Sequence, residues 1–121
     1  MIIKKFEDIE AWKKAREITD LVYKTSAKNK FERDFGLREQ IRRASVSIMS
    51  NIAEGFDSSS RIEFARFLGI AKRSASEVQC QLYIALDQEY ISKTEFDSLY
   101  AKNEEIRKMI TGFIKYLKCT K

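Results

Sequence analysis

The stretch Gly36 to Glu77, GLREQIRRASVSIMSNIAEGFDSSSRIEFARFLGIAKRSASE, reads as two helical runs separated by a break at Asp57-Ser58-Ser59. With the first run laid out at about 100° per residue, Leu37, Ile41, Ala44, Ile48, Ile52 and Gly55 gather on one face. A second apolar set, Val46, Met49, Ala53 and Phe56, falls in the next sector, about 120° to 200° round from Ala44. Glu39, Gln40, Arg43, Ser47, Ser50 and Glu54 form the polar stripe that remains, with Asn51 at its border with the core. Soluble monomers rarely leave a long apolar strip in water, so a helix apolar on two faces in a short chain predicts a covering surface. A second copy of the chain is the most economical cover. Val46, Met49, Ala53 and Phe56 are therefore the candidate oligomer interface.

Outward from this stretch the same periodicity continues. Asp8 is an expected N-cap for a helix whose apolar side collects Ile9, Trp12, Ala15, Ile18, Val22 and Tyr23. Residues 28–35 read as a polar loop with Phe31 and Phe35 as anchors, and Gly36 as the turn into the next helix. Ser60 with Glu63, and Ser92 with Glu95, are capping-box pairs that open two further helices. In the third helix Ala65, Gly69, Ala71, Ser74 and Ala75 are small enough to admit a close neighbour. Along the last, Phe96, Leu99, Asn103, Ile106, Ile110, Phe113 and Leu117 recur three and four apart, the seam of a bundle, with Asn103 setting register. There is no proline and no strand-like alternation. The expectation is a single all-α domain over residues 1–121, an antiparallel up-down-up-down four-helix bundle with helices at about 8–27, 36–56, 60–88 and 92–118. Trp12, Ile41, Ile48, Phe67, Leu82, Ile106 and Phe113 are its predicted core.

A chain of 121 residues is long enough to bury a core without staples. No apolar run approaches the roughly 18 residues of a membrane span, and the N-terminus lacks a signal-like apolar stretch, so no membrane partner and a cytoplasmic location are expected. Net charge is +5. Residues 1–35 carry 9 basic and 7 acidic side chains, residues 36–91 carry 7 and 7, and residues 92–121 carry 7 and 4. The surplus thus sits in the first and last helices, and in an oligomer it would be repeated around the assembly.

Catalytic chemistry has little to work with. There is no histidine, which removes the commonest general base and the commonest zinc ligand. In a hairpin of the last two helices, Cys80 and Cys119 would stand about 27 Å apart, too far to pair or to share a metal. No phosphate-cradling loop is present, so no enzyme activity, metal or cofactor is expected. Across a hairpin turning near residue 58, Arg43 meets Glu77 and Glu54 meets Arg66. These four charges read as structural ion pairs, with direct ligand contact by Arg43 and Glu54 as the alternative. Arg38, Arg42, Lys108, Lys115 and Lys118 are the candidates for nucleic-acid contact. The two arginines could instead bond a neighbouring subunit, and each lysine taken alone fits a solvated helix face.

The run Gln40-Ile41-Arg42-Arg43-Ala44, then Ser47-Ile48 and Asn51-Ile52-Ala53-Glu54-Gly55, followed by Glu63-Phe64, Phe67-Leu68 and Ser74, Ser76 and Glu77, resembles the ribosomal-RNA (23S) intervening-sequence proteins. Phe6-Glu7-Asp8-Ile9, Trp12-Lys13, Ala15-Arg16 and Leu82, Ala85 and Leu86 extend the resemblance over nearly the whole chain. It implies a four-helix bundle that assembles as a homopentamer. A related group serves as accessory subunits of diversity-generating retroelements, where a basic pentamer binds nucleic acid and a reverse transcriptase. Two functions are therefore expected of the same ring. One is a non-catalytic oligomer whose basic surface binds RNA or DNA by shape and phosphate charge. The other is an interaction scaffold or accessory subunit for a second protein, such as a reverse transcriptase.

Overall fold

A computed structural model of the chain describes residues 3–119. A 3-10 turn at Phe6–Asp8 leads into α1 (Glu10–Ser26), and the short α2 (Asn29–Arg33) follows. The remaining helices are α3 (Phe35–Phe56), α4 (Arg61–Asp87) and α5 (Lys93–Cys119), and no strand occurs among the described residues. Each long helix touches two others: α3 packs on α1 and α4, and α5 packs on α4 and α1. Polar contacts between α1 and α3 and between α1 and α5 share a pattern in which numbers rise on one helix as they fall on its neighbour. Thr19 donates to the Ser45 carbonyl and Arg42 to Ser26, while Lys14 pairs with Glu105 and Lys102 with Glu17.

The interior is built from Ile18, Ile41, Ile48, Ile52, Leu68, Val78, Leu82, Ile106 and Ile110, all essentially inaccessible to water. Burial of such side chains, each contributing about 1.5–3 kcal/mol, is what orders helices of this length. Of the predicted core, Ile41, Ile48, Leu82 and Ile106 are buried, whereas Trp12, Phe67 and Phe113 are half-buried. Trp12 and Phe113 lie at the rim of the core, whereas the Phe67 ring lies under the Arg66 guanidinium. Trp12 packs edge-on against Phe6 at 5.2 Å, and Phe113 against Phe64 at 5.0 Å. Asn103 is fully buried, and its Nδ2 donates to the Ala75 carbonyl at 2.7 Å, which fixes α5 at one level along α4.

The helix starts differ from expectation in two places. Asp8 lies in the 3-10 turn and does not cap α1; Ile9 occupies the N-cap position, where its buried hydrocarbon side chain has no acceptor to offer. Gly36 is inside α3 with no positive φ, and the capping is done by Asp34, whose Oδ1 accepts from the Leu37 N–H. The Tyr90 hydroxyl donates to the other oxygen of Asp34 at 2.9 Å, tying the start of α3 to the α4–α5 turn. Within the segment expected as a loop, α2 forms because Phe31 is driven into the core, where it stacks on Tyr90. Phe35 stays exposed under the Arg38 guanidinium.

The capping pairs hold. Ser60 Oγ accepts from the Glu63 N–H, and at the start of α5 both arms form, Glu95 N–H to Ser92 Oγ and Ser92 N–H to the Glu95 carboxylate. The end of α4 closes with bonds from Tyr90 N–H to the Ala85 carbonyl and from Glu89 N–H to the Leu86 carbonyl, and Glu89 sits at φ 60. That is a Schellman ending with glutamate in the place usually taken by glycine.

Candidate nucleic-acid interface

The contact between α3 and α4 explains most of the motif-like residues in the decisive stretch. A Cβ placed on Gly55 would come within 2.8 Å of the Phe64 ring and 2.9 Å of Phe67 Cβ, so the two helices close onto bare backbone there. Further along the seam, Ser47 and Ser74 share a hydroxyl–hydroxyl bond of 2.8 Å. Asn51 Nδ2 donates back to the Ser47 carbonyl and hydroxyl. These residues are small or self-satisfied because the backbones are close. Gly69, by contrast, has open space where a Cβ would stand, so within the subunit it serves no close approach.

The four charges expected to pair across this seam do not do so. Arg66 bonds Glu63 on its own helix, Nη2 to Oε1 at 3.0 Å, with its guanidinium over the Phe67 ring. Neither an Arg43–Glu77 nor a Glu54–Arg66 ion pair forms among the described residues. An i,i+3 partner is reached without crossing a groove, and it holds the Glu63 carboxyl below its ordinary range, chiefly through the hydrogen bond from Arg66. Arg43 and Glu77 both line a groove of about 330 Å³ with Gln40, Ala44, Ser47 and Gln81.

The five nucleic-acid candidates divide. Arg38 donates to the Glu32 carbonyl at 3.0 Å, contacts Glu39 and covers Phe35. Arg42 donates to Ser26 Oγ at 2.8 Å and lies over the Tyr23 ring. Both arginines therefore clamp α3 to α1 and α2. Lys108, Lys115 and Lys118 are exposed on α5. Lys118 converges with residues the sequence reading did not single out, Arg61 and Arg66, around a pocket of about 720 Å³ between the start of α4 and the end of α5. Ser60, Ile62, Ala65 and Leu117 complete its lining, which among the described residues contains no carboxylate.

An aromatic ladder positions this end of the molecule. Phe56 packs on Phe64, Phe64 on Phe113 and Phe113 on Tyr116, carrying the core outward to a surface ring over which Arg61 lies at 5.8 Å. The amino end of α4 adds partial positive charge beside the pocket, while Lys115 and Lys118 offset the negative carboxyl end of α5. By its spacing Phe113 belongs to the predicted core, and nothing in the local sequence singles out Arg61. Only the meeting of α4 and α5 makes them one site, although the exposed Ile62 in Ser60-Arg61-Ile62 was a visible exception to burial.

Among the described residues no group of three or more His, Cys, Asp and Glu could hold a metal ion. Cys80 and Cys119 are free and exposed, and no helix is long and apolar enough to cross a membrane.

The profile of a family described as 23S rRNA-intervening sequence protein matches residues 7–112. A solved structure, that of a protein with unknown function from the S23 ribosomal protein family of Bacteroides thetaiotaomicron, is 29% identical and superposes with a TM-score of 0.80. It covers 87% of this chain and 98% of its own. No curated protein matches the sequence.

Proposed function

The chain belongs to the 23S rRNA-intervening sequence protein family, and from that premise we propose a non-catalytic, self-associating helical bundle that binds RNA or DNA through the basic end where α4 begins and α5 ends. The observation that carries this reading is the convergence of Arg61, Arg66 and Lys118 around a pocket with no carboxylate in its lining among the described residues. Phosphate affinity grows with the number of charges neutralised. The bundle is up-down-up-down, a topology supported by the opposed numbering of contacts at the seams. It assembles as a ring, with five copies as the family-based expectation, and each copy adds its own basic end to the field. Exposed Val46 on α3 supports self-association.

Filter binding of a structured RNA at two salt concentrations tests the proposal. Retention should fall steeply with salt, and the double change Arg61→Ala with Lys118→Ala should reduce the logarithmic salt slope by about 2. Absence of retention at low salt would remove the nucleic-acid part.

A second reading, an accessory subunit for another protein such as a reverse transcriptase, draws support from a different surface. Tyr83 is half exposed and packs on Phe96 and Tyr100, with Ile84 exposed beside it on α4. Burial of such side chains against a partner is a common source of binding energy. A reverse-transcriptase gene beside this one, together with loss of co-purification on Tyr83→Ala, would favour that reading.

A further inference from the structure

The lining of the α4–α5 pocket is not the lining that a duplex backbone requires. A double helix presents phosphates, sugars and the groove-facing edges of its bases, while the faces of those bases stay stacked inside. Here the cations Arg61, Arg66 and Lys118 stand around an apolar shelf made by Ile62, Ala65 and Leu117. Ile62 is 82% exposed, the most exposed large apolar side chain on the described surface, and it stands at this pocket. Beside it the Arg61 guanidinium lies over the 58% exposed Tyr116 ring at 5.8 Å. At about 720 Å³ the space lies in the range of small-ligand pockets, about 300–1,000 Å³.

We propose that this pocket seats one unpaired nucleotide of a single-stranded RNA segment, its base on the Ile62–Ala65–Leu117 shelf and its flanking phosphates on Arg61 and Lys118. The inference rests on the nucleic-acid reading above and narrows it to single strands or unpaired ends. Three features favour a nucleotide over an acidic peptide. Arg66 is already engaged by Glu63, which leaves Arg61 and Lys118 for the two phosphates flanking one nucleoside. The Tyr116 ring, 58% exposed beside Arg61, places an aromatic surface close to the pocket, which suits a base better than an acidic side chain. The exposed Ile62 stands beside the buried Ala65 and Leu117, an apolar surface that a flat base can cover.

The test is fluorescence anisotropy of the full chain with a labelled single-stranded RNA, a blunt duplex of the same sequence and a labelled acidic, leucine-containing peptide. The single strand should bind about tenfold more tightly than the duplex, as expected when one base gains a stacking surface. Ile62→Ser should abolish most of that preference, weakening the single strand several-fold more than the duplex. Arg61→Gln should weaken both. Circular dichroism of the Ile62 variant, altered at an exposed position, should match the parent. Equal affinity for strand and duplex, with no effect of Ile62→Ser, would overturn the nucleotide pocket yet leave nucleic-acid binding intact. Failure to bind either RNA at low salt would remove both, and binding of the peptide alone would assign the pocket to an acidic protein segment.

Discussion

Gly55 and Gly112 are the same residue type inside long helices, but they stand in opposite surroundings. The 2.9 Å approach to Phe67 Cβ leaves no place for a methyl group on Gly55 unless α3 and α4 move apart, whereas a Cβ on Gly112 meets nothing within 4 Å. Overpacking of a tight contact costs about 1–3 kcal/mol, more than the roughly 1 kcal/mol that alanine contributes to a helix interior. Gly55→Ala should therefore lower stability in urea titration, and Gly112→Ala should raise it by about 0.5–1 kcal/mol. If the two changes had the same sign, the α3–α4 approach described here would be wrong.

At the scale of the element, α3 is held to α1 by Arg42, whose Nε donates to the fully buried Ser26 hydroxyl. Arg42→Leu leaves that hydroxyl without its donor and removes the contact with Tyr23. The expected loss is about 1–3 kcal/mol in chemical denaturation, with RNA retention unchanged if the basic end is the binding surface. Between α4 and α5, Glu104 accepts from Gln79 Nε2 at 2.8 Å and from Arg107 at 2.9 Å. These bonds, that from Gln79 foremost, hold its carboxyl below the ordinary value of 4.5. The unfolded chain then binds this proton more readily than the folded one. The contribution to stability is complete above that ordinary value and is lost as pH falls through the lower folded value. Glu104→Gln should flatten the acid limb of the stability curve, by less than about 1 kcal/mol for a partly exposed group, with little change in its pH dependence near neutrality.

At the scale of the whole molecule, the second apolar face of α3 divides between the subunit and its surroundings. Met49 and Phe56 are half-buried against this chain's own core, and Phe56 rests on Phe64, whereas Val46 is 39% exposed. Glutamate at Phe56 would disturb folding as well as assembly. Val46→Glu is the cleaner probe. It should reduce the mass seen by light scattering while leaving helicity and the urea midpoint near those of the parent, because a charge at an exposed site perturbs the monomer by only about 0.5 kcal/mol. An unmodified chain that scatters as a monomer would remove the ring, and with it the repeated field around the basic ends.

The four long helices, the caps at Ser60 and Ser92 and the buried faces of α3, α4 and α5 were legible in the sequence, because periodicity and capping depend on residues within a few turns of one another, whereas the short α2 was read as loop. Local spacing alone decided that Ile41, Ile48, Leu82 and Ile106 would face inward. Tertiary structure decided the rest. Arg38 and Arg42 became clamps because α1 and α2 bring Ser26, Tyr23 and the Glu32 carbonyl to them. Arg66 turned to Glu63, although a cross-helix partner was equally plausible by numbering. Arg61 and Lys118 lie 57 positions apart in the chain, and no periodicity relates them. They line one pocket only because α4 begins where α5 ends, a coincidence of helix ends set by packing along the whole length of the bundle.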